Sequence, residues 1–243
     1  MARGPDISLD IFDKRFSPEA RPLFQDFHLK IVPETVVALV GPSGVGKSSL
    51  LRMIAGIDTN FSGKITVGGV AAEDTPPAGF VLQDARLLPW LTAIDNIRAV
   101  APKIADAEAM ALLGRVGLRG SENAYPHQLS GGMQRRVAIA RAFSVNSSLL
   151  LLDEPFVSLD RHLVSELQNL FLDLIDVEKP TVILVTHLAE DAARLADRAV
   201  VLDGRPAGIV ADLHFDKPRG ERSPAERLEL AERIAAHSAG VIA

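Results

Sequence analysis

The run Gly41-Pro42-Ser43-Gly44-Val45-Gly46-Lys47-Ser48 commits its neighbours to one arrangement before any other part of the chain is read. It follows the continuous apolar stretch Val36 to Val40, which reads as a strand buried on both faces. It leads into a segment with helical character from about Lys47, stopped near Gly56. The pattern G-x-x-x-x-G-K-[ST] between a strand and a helix is a phosphate-binding loop. Gly44 and Gly46 let the backbone curl until its N–H groups line an anion nest. The helix N-terminus adds its positive end. Lys47 places a charge against the outer phosphates, Ser48 offers a hydroxyl to a Mg²⁺ ion, and Ser49 continues the loop into the helix.

Strands and helices alternate around this loop. Ile7, Leu9 and Ile11 alternate with Ser8 and Asp10, and Phe27, Leu29 and Ile31 with His28 and Lys30, so the N-terminal part reads as β. Short β segments follow near Lys64 to Val67 and Phe80 to Leu82. From about Asp84 to Val145 the pattern turns helical, with breaks at Pro102 and at Gly114 to Ser121. Leu149 to Leu152 is a second buried strand. Leu163, Leu167, Leu170 and Leu174 then form one helix stripe, which Pro180 ends. Thr181 to Thr186 reads as a strand, and Ala199 to Leu202 with Ile209 to Ala211 as a hairpin. Ser223-Pro224-Ala225-Glu226 is a capping box that opens a last helix. The sum is an α/β protein with a mainly parallel sheet and an inserted helical lobe.

Composition narrows the class. A length of 243 residues, 47% of them apolar and 23% charged, suits a globular chain with a real core. No uncharged apolar run reaches the roughly 18 to 20 residues that span a bilayer, so any membrane-spanning part belongs to other chains. The opening Met1 to Asp6 lacks the apolar segment of a secretory signal, and there are no cysteines, which favours the cytoplasm. The net charge of −5 offers no nucleic-acid footprint, and Arg135-Arg136 reads as a solvated or ion-paired helix face.

Two further motifs carry chemistry. Leu149-Leu150-Leu151-Leu152-Asp153-Glu154-Pro155 ends a buried strand in adjacent carboxylates, at the edge where α/β sheets bind ligands. Asp153 is the candidate to hold Mg²⁺ through its water shell, and Glu154 the candidate base for an attacking water. Alone, such a pair also fits a strand that ends in solvated acids. Leu129-Ser130-Gly131-Gly132-Met133-Gln134 stands just before a helix and makes a second anion-binding helix start, or a plain N-cap with flexible glycines.

Taken together these residues resemble the nucleotide-binding domain of the ABC transporter family, over about residues 6 to 212. Leu129 to Gln134 is similar to the family's signature motif. Gln83 matches its Q-loop glutamine, Ser158-Leu159-Asp160 its D-loop and His187 its switch histidine. Phe16 falls where the family places an aromatic that stacks on adenine, with Phe12 and Phe24 close by. The resemblance implies a P-loop NTPase (RecA-like) core with an N-terminal antiparallel β part. It divides one domain into a core of about 1–83 and 146–212, a helical lobe of about 84–145 and a tail from about 213 to 243.

It also implies two copies packed head to tail, each ATP held between the phosphate loop of one and the signature helix of the other. Gln83-Asp84-Ala85-Arg86-Leu87-Leu88-Pro89-Trp90 is similar to importers of nitrate, sulfonates, taurine and related compounds. The implied partners are a second copy, membrane-spanning permease subunits and, indirectly, a periplasmic or lipid-anchored solute-binding protein. The implied location is the cytoplasmic face of the inner membrane. An exporter ATPase and a soluble ABC ATPase without a transport role are the alternatives. One departure stands out: Glu34-Thr35 replaces the family's usual Gly-Glu before the first buried strand, which puts the local turn in doubt.

Overall fold

The computed structural model describes residues 4–145, 148–157 and 159–237. Along the chain run β1 (Ile7–Lys14), β2 (Phe24–Ile31), β3 (Val36–Val40), α1 (Lys47–Ile54), β4 (Ser62–Val67), β5 (Val70–Ala71) and β6 (Gly79–Val81). Then come α2 (Ala93–Arg98), α3 (Asp106–Arg115), α4 (Gly131–Ser144), β7 (Leu149–Asp153) and α5 (Arg161–Glu178). The chain continues with β8 (Thr181–Thr186), α6 (Ala189–Leu195), β9 (Arg198–Asp203), β10 (Gly208–His214) and α7 (Pro224–Ala235). Contacts divide it into two compact units: the described residues of Arg3–Pro76 with Lys179–Ala243, and Pro77–Glu178. The cut falls at 76/77 and 178/179, so β6, β7 and α5 group with the helices α2 to α4.

In the first unit, β1 pairs antiparallel with β2 on one side and β4 on the other, and β5 pairs with β4. The alternation read from sequence holds: Ile7, Leu9, Ile11, Phe27, Leu29 and Ile31 are all buried. Beside this sheet β3 lies between β8 and β9, parallel to both, and β10 closes the edge antiparallel to β9. Every residue of β3 and of β8 is buried, as continuous apolar strands require. Thr181 belongs in that strand because its hydroxyl works twice. It donates to the Pro5 carbonyl at 2.7 Å and accepts the Glu34 N–H at 2.9 Å. The second bond holds the unusual turn. Glu34 sits at φ 57, the left-handed region that glycine tolerates best, and Thr35 closes the turn by donating to the Val32 carbonyl.

The tail is fastened to the same unit. Ser223 caps α7 and the Glu226 carboxylate reaches back to the Ser223 N–H, a bond that with Lys217 brings the Glu226 pKa down to about 2. Ala231 and Ile234 are buried where α7 meets α6. Arg222 is 2% exposed and donates to the carbonyls of Ala193, Ala196 and Lys217, each at 2.8 Å, with its guanidinium over the Phe215 ring. Its loss leaves three carbonyls without their donor. Arg222→Met should therefore cost about 2–4 kcal/mol in chemical denaturation, and an unchanged midpoint would contradict the clamp.

In the second unit, β6 and β7 pair in parallel. The stretch read as helical from 84 is irregular as far as Thr92, whose side chain accepts the Asp95 N–H and starts α2. The leucine stripe of α5 is rotated from the sequence reading. Leu167, Gln168, Phe171, Leu174 and Ile175 are buried, while Leu163 and Leu170 are only half-buried. Phe171, 6.4 Å from the Phe143 ring on α4, claims the core side and turns the helix toward itself.

Candidate functional site

The phosphate loop lies in the first unit, on the turn from β3 into α1. Gly44 has φ 81 and Gly46 φ 115, so the curl needs glycine at both positions. A Cβ on Gly46 would also stand 2.6 Å from the Phe24 ring, a buried residue under the loop. No side chain caps α1, which leaves its first N–H groups to the loop's own concavity. Lys47 is 4% exposed, and its ammonium donates to the carbonyls of Gly41 at 2.7 Å and Pro42 at 3.0 Å. A buried ammonium held at the mouth of an anion nest is placed to meet a polyphosphate. Ser48 and Ser49 follow on the first turn, both half-buried. Pro42 and Val45 close the loop through a bond from the Val45 N–H to the Pro42 carbonyl.

The aromatic candidates separate clearly. Phe24 is core, whereas Phe16 is 72% exposed with the Lys14 ammonium 5.9 Å from its ring. Phe12 is exposed as well. His187 is half-buried on the turn from β8 to α6.

The carboxylates belong to the second unit. Asp153 ends β7 and Glu154 follows at φ 49, a left-handed conformation uncommon for a residue with a side chain. Buried Pro155 and Phe156 hold the turn behind it. Strain of this kind, on an acid at a strand's C-terminal edge, is a mark of a functional position.

The signature segment is a capped helix start. Ser130 accepts the Met133 N–H at 3.3 Å, and Ser130 and Gly131 are exposed. Gln134 turns back and donates to the carbonyls of Pro126 and Leu129, which fixes the loop that leads in. Asp160 caps α5 by accepting the Leu163 N–H at 2.9 Å. Ser158 lies outside the described residues.

Arg135, which the sequence placed on a solvated or ion-paired face, and Arg141 and Asn96, which it passed over, organise the segment after β6. Arg135 is buried, not on a solvated face, and donates to the Leu82 carbonyl next to Gln83. Burial lowers its pKa. Arg141 donates to the carbonyls of Ala85 and Arg86. The signature helix thus grips both ends of the Gln83 turn. Arg136 does behave as an ion-paired surface residue, bonded to Glu166 at 2.7 Å. Asn96 is fully buried. Its amide accepts the Leu88 N–H and donates to the carbonyls of Leu88, Leu91 and Thr92. That fan of bonds fixes the turn on which Trp90 stands 69% exposed. Nothing in the sequence around Asn96 marked it for this role.

Residues 24–157 match the model of the ABC transporter family. The chain belongs to the ABC transporter family. Among similar curated proteins, an aliphatic sulfonates import ATP-binding protein of Burkholderia lata is 41% identical over 84% of this chain and 77% of that one. Another of that name, from Bacillus subtilis, is 39% identical over 90% and 89%. Among solved structures, the ATP-binding cassette MJ0796, a dimer in a post-hydrolysis state with ADP and phosphate, aligns with a TM-score of 0.74. It is 26% identical and covers 88% of this chain and 100% of that one. Membership makes this chain an ATP-binding ATPase. Among the described residues no helix is long and apolar enough to cross a membrane.

Proposed function

We propose that this ABC ATPase powers uptake of aliphatic sulfonates, working as a pair of copies on the cytoplasmic face of a permease. The observation that carries the reading is the exposed helix start at Ser130 and Gly131, built like a phosphate cradle and carried in addition to the Gly41–Ser48 loop. One chain with two such ends suits two copies that each complete the other's site. The relatives named for sulfonate import supply the solute class.

In this reading Phe16 stacks on adenine, and residues 41 to 49 wrap the phosphates with Lys47 on the outer ones. Ser130, Gly131 and Gly132 meet the γ-phosphate of the ATP bound to the other copy. Gln134 holds their loop in place, and Asp160 lines the same junction. His187 steadies the γ-phosphate, and Gln83 faces the attacking water. Among the described residues no cluster of three or more acids or histidines makes a cage for a metal. That fits Mg²⁺, which binds through a few protein oxygens and the substrate's phosphates; Ser48, Gln83 and Asp153 are the oxygens offered. Bound there, Mg²⁺ neutralises charge on the phosphates. Glu154 then takes the proton of the attacking water. A periplasmic or lipid-anchored binding protein delivers the solute to the permease.

Deleting the gene should abolish growth on an aliphatic sulfonate as sole sulfur source and spare growth on sulfate. Equal growth on both would remove sulfonate import from the reading while leaving the ATPase intact.

Trp90 is the coupling contact in this scheme. It is exposed beside Pro89 and half-buried Leu87, Leu88 and Leu91, on a turn that Asn96 makes rigid. An aromatic on a rigid turn is a good interface anchor, worth about 2 kcal/mol or more. Trp90→Ala should leave ATP binding by the isolated chain unchanged and weaken permease assembly roughly 30-fold. Normal assembly and uptake would reject the docking role.

A further inference from the structure

His187 stands between two residues that are tied to each other. Thr186, the last residue of β8, is fully buried. Its hydroxyl accepts the Leu188 N–H at 3.0 Å and donates to Asp191 Oδ2 at 3.2 Å. Asp191 is in the first turn of α6 and 4% exposed. A carboxylate at that depth is costly unless its bonds are made, so the hydroxyl and the acid hold one another in place. Arg194, one turn further on, adds a favourable charge to Asp191.

The geometry is that of a clasp. The hydroxyl of Thr186, just before His187, is bonded to Leu188 and Asp191, both after it, and the turn cannot reorient without breaking a buried bond. The far end of α6 is fixed too, because Arg222 donates to the Ala193 and Ala196 carbonyls. Only a side chain that donates and accepts at once can close the clasp. Valine has the shape of threonine and can do neither.

We infer that Thr186 and Asp191 are positioning residues for His187, setting the direction of its imidazole through the turn they clasp. The inference rests on the reading of His187 as the residue that steadies the γ-phosphate. It predicts a larger loss in kcat than in ATP binding, because the hydroxyl of Thr186 is spent on Leu188 and Asp191, while its backbone stays paired with Val40 beside the loop. Misplacing a reacting group by a fraction of an ångström to an ångström costs about 10- to 100-fold.

The test compares Thr186→Val, Thr186→Ser, His187→Ala and the double variant Thr186→Val/His187→Ala. Turnover is followed over hours with radiolabelled ATP so that slow variants remain measurable. Thr186→Val should lower kcat about tenfold with the KM for ATP within twofold, and Thr186→Ser, which keeps the hydroxyl, should restore it. Added to His187→Ala, Thr186→Val should change nothing further, because the residue it positions is gone. Wild-type kcat in Thr186→Val, or the same drop with and without His187, overturns the inference while His187→Ala stays impaired. Wild-type turnover in His187→Ala overturns the underlying reading instead. Should Thr186→Val not fold, Asp191→Ala carries the same comparison. It removes the acceptor and is expected to lower kcat about tenfold only when His187 is present.

Discussion

Glu154→Gln should bind ATP with unchanged affinity, hydrolyse it at least about 100-fold more slowly and accumulate as an ATP-bound dimer. The amide keeps the size of the side chain and tolerates the left-handed φ of 49 as well as glutamate does, so no new strain enters. What disappears is the base proposed for the attacking water. The state that hydrolysis would dissolve then persists. Light scattering with ATP reads the dimer, and single-turnover kinetics reads the chemical step. A monomeric variant that hydrolyses normally would reject both the base role and the pairing of copies.

Lys47→Ala is expected to remove ATP turnover by a similar or larger factor, at least about 100-fold. The ammonium is buried and faces the carbonyls of Gly41 and Pro42, so it is fixed before any phosphate arrives and loses little freedom on binding. Unlike Glu154→Gln, this change should also weaken ATP binding, because the charge acts on the ground state as well as on the transition state. A thermal melt separates loss of the charge from loss of the fold. Wild-type turnover in a folded variant would reject the loop as the phosphate site.

What the sequence made legible was local. The phosphate loop, the buried strands β3 and β7, the Ser130 cap and the Ser223 capping box each lie within a few residues of one another, so spacing alone exposes them. The links between distant segments were not legible. Arg135 and Arg141 look like surface charges until their carbonyl partners at Leu82, Ala85 and Arg86 come into view, more than 50 residues away. Asn96 carries no motif, yet it holds the turn of Trp90. The stripe on α5 was misjudged because it counted leucines and left out Phe171, the largest side chain on the buried face. His187 could be matched to a family position, but nothing in its neighbours announced that Thr186 and Asp191 share a proton bond around it.

The place of β3 sets an order of events during synthesis. Both strands that flank it are made only after the whole of Pro77–Glu178, and the Val36 N–H finds its acceptor, Asp197, 161 residues later. At about 5–20 residues per second, that is a wait of about 10–30 s on the ribosome. For that time the five apolar residues of β3 have neither neighbour, a ready template for wrong pairing. The nascent chain is therefore most vulnerable to aggregation while its middle is being made, and it is the last third of the polypeptide that ends the danger.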